Sequence, residues 1–371
     1  MVERVLYTVS GVLGVLSLMA MTLQGALSNR LVITAVIVIV ASIVGIWLAL
    51  RFAFWAAVWL LANSSLCALF LLSHLEQNHH AVQNYGFWAL VIASWLLAWS
   101  SVTRFAEINT LSKSLKMSLS FLIPLIFGAW LLLLWEFITR GLEVPQVLLP
   151  APSDIGDRFI HSMPTLWADF KQTFIKSVLT GYVMGCSAGF LVAIMIDRSP
   201  FLKRGLLPVG NLVAALPIVG IAPIMVMWFG FDWQSKAAVV VVMTFFPMLV
   251  NTVVGLSAAS NIQLDLMKTY ASGYWQALLK LRLPEALPFI FNALKINSTL
   301  ALIGAIVAEF FGTPIVGMGF RISTEVGKMN VDMVWAEIAV AALAGSLFYA
   351  AIALIERMVT FWHPSMRTAK Q

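Results

Sequence analysis

The sequence predicts an all-α, polytopic bundle of about ten helices that cross a lipid bilayer. Of its 371 residues, 61% are hydrophobic and only 11% are charged, against about 45–50% apolar and about 25% charged in an average soluble domain. The mean hydropathy is +0.92, and a water-soluble fold of this length could not hide that much apolar surface. The apolar residues also fall into runs separated by short polar breaks, and a run of roughly 20 residues is what a helix needs to span the hydrocarbon layer.

In chain order the candidate spans are residues 5–27, 31–50, 52–73, 86–103, 117–138, 174–196, 206–229, 237–257, 287–310 and 334–355. The first run follows Arg4 as a secretory leader would, but it is too long for a leader's apolar region and a second span follows at once. It is expected to remain as a membrane helix. Placing the N-terminus inside puts 14 Lys and Arg residues on the cytoplasmic side and eight on the other. Positive charge accumulates in cytoplasmic loops, so both termini are expected to be cytoplasmic.

Arg104, Glu107, Lys113 and Lys116 interrupt the hydrophobic pattern after four closely spaced spans, and all 14 prolines lie beyond them. The chain is expected to comprise a four-span extension (residues 1–104), a cytoplasmic linker (105–116) and a second module (117–371). Four spans are an even number, so the extension leaves the orientation of the second module unchanged.

Several function classes find no support. The net charge of +6 comes from basic residues scattered in ones and twos, without the basic stripe of a nucleic-acid binder. Cys67 and Cys186 lie inside apolar runs and form no CxxC pair, so both are expected to be packing residues. His74, His79 and His80 have only Glu76 nearby; no metal site is expected. The 14 tryptophans suit membrane interfaces, where amphipathic rings collect. No nucleophile–base set or carboxylate cluster stands within the spans, so no catalytic residue is expected. There is no GxxxxGK[ST] phosphate loop, so nucleotide chemistry is expected on another polypeptide.

The most informative stretch is residues 259–284, too polar to cross a membrane and cytoplasmic by the charge count. Ile262, Leu266, Tyr270, Tyr274 and Leu278 recur every four residues, placing an apolar stripe on one helical face, away from Asp265, Lys268 and Lys280. Ser272 and Gly273 are expected to bend the segment into two short helices. The run from Asp265 through Leu266, Thr269, Tyr270, Ala271, Ser272 and Gly273, closed by Leu281, Leu283 and Pro284, resembles the EAA loop of type I ABC importer permeases. Asp265 stands where that family usually has glutamate, Met267 where it has alanine, and Ala271 where it normally has glycine.

Other phrases extend the resemblance over roughly residues 117–360. Trp135 and Glu136, then Val144, Pro145, Leu149, Pro150, Pro152 and Ser153, are similar to the family's opening segment. Ala215 to Pro217, Ala222, Pro223 and Trp228 to Gly230 follow, then Phe246, Pro247, Asn251, Thr252 and Gly255, and finally Val307 to Glu309 and Gly317 to Gly319. Within the superfamily these phrases look most like the permeases for nitrate, sulfonate, taurine and pyrimidine precursors.

The resemblance implies a non-catalytic homodimeric permease in the bacterial inner membrane. It implies cytoplasmic ATPase subunits that carry ATP and magnesium and receive the EAA helix. It also implies a periplasmic or lipid-anchored binding protein that delivers a small polar solute. The alternative class is a stand-alone secondary transporter or channel, which usually shows inverted repeats of its spans; no such repeat is visible.

Ionisable and helix-breaking residues inside spans mark the candidate pathway. Pro217, Pro223 and Pro247 free backbone groups that neighbouring helices or a cavity must satisfy, so their helices, with Asn251, are candidates to line the translocation path. Glu309 matches a family position beside the outer gate. Glu136 and Glu337 lie near span ends and are expected to reach the interface, whereas Lys295 is expected to pair between helices. Asn211, Thr244, Asn297, Ser298 and Thr299 are candidates for hydrogen bonds across helices.

Overall fold

The computed structural model describes residues 2–24, 28–75, 84–107, 113–199, 201–202, 204–205, 208–210, 216–312 and 315–362. Among the described residues there is no strand, and nine helices are long and apolar enough to cross a membrane. They divide into two compact units, Met1–Gly156 and Asp157–Gln371.

The first unit holds α1 (Val2–Gln24), α2 (Asn29–Arg51), α3 (Ala53–Leu75), α4 (Tyr85–Glu107) and α5 (Lys113–Gly141). Helix α4 is the hub, packing on all four others. Small residues let the backbones approach: a Cβ on Gly14 would press on Ile39 and Val38, and Ser10 hydrogen-bonds Ser42 across the helix pair at 2.9 Å. At the end of α4 the buried Arg104 donates to the Tyr7 hydroxyl. Helix α5, which the resemblance groups with the second module, packs here on α3 and α4 through Ile126, Trp130 and Phe137. By packing, the first compact unit therefore extends past the polar break at 104–116 to Gly156. Glu136 holds Arg140 and accepts from Ser153 N at 2.9 Å, so it fastens the first turn of α6 (Pro152–His161). His79 and His80 lie outside the described residues.

The second unit is organised around two rods of 36 residues each. The first, Met163–Arg198, comprises α7 (Met163–Phe170), a π-helical stretch (Lys171–Leu179) and α8 (Thr180–Arg198). The second, Tyr274–Glu309, comprises α12 (Tyr274–Ala277), a π-helical turn (Leu278–Arg282) and α13 (Leu283–Glu309). Between them in sequence come α9 (Ile218–Phe229), α10 (Trp233–Leu256) and α11 (Asn261–Thr269); α14 (Met318–Gly327) and α15 (Val331–Val359) complete the unit.

Both rods begin well before the apolar runs at 174–196 and 287–310, because their first turns are amphipathic. In the second rod Pro284 lacks an N–H, and the π-helical turn just before it takes up the change in hydrogen-bond register. Of the expected span 206–229 the structure describes 208–210 and 216–229, and within it Pro217 caps α9, which runs 12 residues to Gly230 at φ +82°.

Helix α10 lies at the centre, against α8, α9 and α13. Its contact with α8 is a seam of glycines four residues apart. A Cβ on Gly181 would fall 2.6 Å from the Ala237 carbonyl oxygen, one on Gly185 would overlap Thr244 and sit 2.8 Å from the Val241 oxygen, and one on Gly189 would fall 2.5 Å from the Phe245 oxygen. Only residues without a side chain allow two membrane helices this close. Asn297 secures the same region: its buried amide donates to the Thr244 carbonyl at 2.7 Å and to Cys186 Sγ at 3.3 Å. Lys295 pairs with Glu356 at 2.7 Å, as an interhelical cation should.

Candidate functional site

The stretch from 259 to 284 folds as two helices, split where Ser272 and Gly273 were expected to bend it. Helix α11 is capped at both ends by its own sequence. Ser260 Oγ accepts from Gln263 N at 3.3 Å while Gln263 Oε1 accepts from Ser260 N at 3.0 Å, the reciprocal arrangement that satisfies two free donors at a helix start. At the other end Ala271 takes φ +50°, its N–H reaching the Lys268 carbonyl at 2.8 Å, and Ser272 N reaches the Met267 carbonyl at 3.1 Å. This is the left-handed stop that helices usually make with glycine. Ala271 makes this tight turn at a cost of about 1–2 kcal/mol for the Cβ.

The five-residue apolar stripe separates at that turn. Ile262, Leu266 and Tyr270 are 83%, 57% and 80% exposed, and α11 has no buried residue. Tyr274 and Leu278 instead turn inward: Leu278 is buried, and the Tyr274 hydroxyl donates to Asp197 Oδ2 at 3.0 Å. Asp265 stays in solvent and pairs with Lys268 at 3.0 Å, and the Thr269 hydroxyl caps the Asp265 carbonyl at 2.7 Å.

Sequence reading missed the group that anchors this segment. Asp197, at the end of α8, receives both arms of Arg282, Nη1 at 2.7 Å and Nη2 at 2.6 Å, and Arg282 Nε donates to the Leu256 carbonyl at 2.9 Å. The Asp197 side chain is 3% exposed. The guanidinium of Arg198 lies 5.9 Å from the Tyr274 ring centre. One side chain, Arg282, thereby joins the ends of three helices.

Glu309 belongs to a second polar group, at the opposite end of the rods. Its carboxylate accepts from the Thr173 hydroxyl at 2.8 and 3.0 Å and from Gly319 N at 2.7 Å. Thr173 in turn accepts from Met318 N at 2.8 Å, and Asp169 accepts from Gly317 N at 2.6 Å and Arg321 Nε at 2.8 Å. Three successive N–H groups at the start of α14 therefore meet two carboxylates and a hydroxyl, which suits the positive end of a helix dipole. Gly317 permits the arrangement: its φ is +143° and a Cβ would lie 2.8 Å from the Glu309 carboxylate.

Glu337, expected to reach the interface, is fully buried beside Asp169. The reason is that α15 begins at Val331, so residue 337 already lies nearly two turns inside. Asp232 caps α10 through Trp233 N at 2.8 Å, and this bond, helped by the Gln172 amide and by Lys176 and Lys236, holds its carboxyl below the usual range against the effect of burial.

The proline positions lie on two adjoining helices. Pro217 is exposed at the start of α9, Pro223 lies half-buried within it, and Pro247 is half-buried in the adjoining α10. The Asn251 amide donates to the Pro247 carbonyl at 2.8 Å. Asn211 lies outside the described residues. Among the described residues no group of His, Cys, Asp and Glu has the arrangement of a metal site.

Comparison with known proteins agrees with the architecture. Residues 181–367 match the family described as binding-protein-dependent transport system inner membrane component. A probable ABC transporter permease protein of Haemophilus influenzae is 29% identical over 244 residues, covering 66% of this chain and 99% of that protein. The formylaminopyrimidine transport permease protein of Halalkalibacterium halodurans is 30% identical over 248 residues, 67% of this chain and 98% of the relative. The riboflavin transport system permease protein of Chloroflexus aurantiacus is 28% identical over 237 residues, 63% and 88% respectively. With these helices and these matches, the chain belongs to the binding-protein-dependent inner-membrane transport components and is a multi-pass permease of the type I ABC importer kind.

Proposed function

We propose that this permease forms the translocation path of an ATP-driven importer and that α11 is the helix through which separate cytoplasmic ATPase subunits drive it. The observation that carries the reading is the exposed triplet Ile262, Leu266 and Tyr270 on a helix capped at both ends that, among the described residues, has no buried residue. A short amphipathic helix laid in a partner's groove is an established mode of recognition. ATP and magnesium bind on those partners, and this chain works as a non-catalytic subunit.

The remaining assignments follow from the same reading. Both termini and residues 259–284 face the cytoplasm, in line with the bias of positive charge. A second copy of the chain completes the path, and a periplasmic or lipid-anchored binding protein delivers the solute to the far side. Pro217, Pro223, Pro247 and Asn251 line the path on α9 and α10, and Glu309 holds the frame at its outer end. The cargo is a small polar solute, of the nitrate, sulfonate or taurine kind or pyrimidine-like. Two of the relatives described above are named for nitrogen heterocycles, formylaminopyrimidine and riboflavin, which supports the latter. Residues 1–104 form an added module.

The decisive experiment is co-purification with the ATPase subunit. Replacing Leu266 and Tyr270 with Glu should abolish association while leaving the permease's elution profile and denaturation midpoint unchanged, since both side chains are exposed. Solute uptake into vesicles that lack ATP and any ATPase would instead establish the stand-alone transporter.

A further inference from the structure

The two long rods of the second unit are fastened to each other at both ends. Near α11, Asp197 of the first rod holds Arg282 and Tyr274 of the second. At the other end, Thr173 of the first rod holds Glu309 of the second. Between these points the Tyr182 hydroxyl donates to the Leu294 carbonyl at 3.0 Å and Asn297 bonds Cys186. Arg282 and Glu309 are about 40 Å apart along the helix axis at 1.5 Å per residue.

From this we infer that Asp197 and Arg282 are the joint through which displacement of α11 becomes movement of the paired rods, and so of the outer network around Glu309. The inference rests on the coupling reading of α11 given above. On its C-terminal side, past the turn at Ala271, a push on α11 passes to Tyr274 and the start of the second rod. Alone, that rod could pivot or slide against its neighbours. The bidentate pair removes this freedom, because a guanidinium fork on a carboxylate fixes distance and orientation together. Arg282 Nε on the Leu256 carbonyl brings the end of α10 into the same joint, and α10 is already seated on α8 along the glycine seam. Three helices therefore receive one motion. Asp197 and Arg282 act as positioning residues.

Hydrogen–deuterium exchange on the full permease, assembled with its ATPase subunits in lipid nanodiscs, tests this without knowledge of the solute. ATP with vanadate is compared with no nucleotide. In the native complex, protection should change both at residues 261–270 and at residues 169–173 and 317–321. Asp197→Asn keeps the shape and removes the charge; it should preserve the response in α11 and cut the distant response to less than about half. Tyr274→Phe should act in the same direction and more weakly.

A native-sized distant response in Asp197→Asn overturns the proposal. Should that variant fail to assemble, the exchanged pair Asp197→Arg with Arg282→Asp decides: recovery of the distant response supports the joint, and failure of this variant also to assemble makes the pair a folding element only and overturns it. Absence of any nucleotide response in α11 of the native complex is a different result. It would remove the coupling reading itself, and the joint with it.

Discussion

At the Glu309 end of the second unit the polar side chains turn inward, whereas α11 at the other end turns its apolar side chains outward. Asp169, Thr173 and Glu309 are buried and bonded to backbone N–H groups, and Arg321 completes the set. Helix α11 is complete in its own capping but leaves Ile262, Leu266 and Tyr270 uncovered. The first region is satisfied within the chain and so contributes to its stability. The second contributes little to stability and leaves its apolar face exposed. A change in the inward-facing region should therefore be read in folding, and a change on the outward-facing helix should be read in assembly.

The sharpest way to break this contrast is Asp169→Ala. It leaves Arg321 and Gly317 N without their acceptor, and removing one partner of a buried pair costs about 3–5 kcal/mol. The denaturation midpoint of the purified permease should fall accordingly. Thr173→Val comes next: it removes the hydroxyl that donates to Glu309 and accepts from Met318 N, for a loss of about 1–3 kcal/mol by the same measurement. The smallest effect is expected at Ala271→Gly. Relief of the left-handed strain is offset by greater freedom of the unfolded chain, leaving a change of about 1 kcal/mol or less. ATPase association should persist, because the turn keeps its shape. A large stability loss at position 271 would erase the distinction between the two ends.

Much of this was legible in the sequence, for reasons that differ from element to element. Among the described residues, apolar runs locate nine long helices because a membrane demands length and composition together. The bend at Ser272 and Gly273 was legible from local turn chemistry, which acts without tertiary help. The network around Glu309 was not legible, since Asp169 lies in a stretch that reads as a polar connection, and nothing local says that its partners stand near residues 317–321. Asp197 was hidden for the same reason: Arg282 is 85 residues away in sequence. The glycine seam is a different kind of miss. Gly181, Gly185 and Gly189 stand in plain spacing, and the pattern of small residues every fourth position is itself a sign of close helix contact.

The π-helical turn at Leu278–Arg282 sets a phase relation. A wider turn carries the chain past the α-helical repeat, so residues before and after it look in directions that an unbroken α-helix would not give them. Removing one residue there would restore the ordinary repeat and rotate everything upstream by about 100° about the axis, the angle of a single helical step. Tyr274 would swing away from Asp197, and α11 would address a different azimuth with its caps and its apolar triplet unaltered. Which way the permease points α11 is thus encoded by a count of residues as much as by their kind.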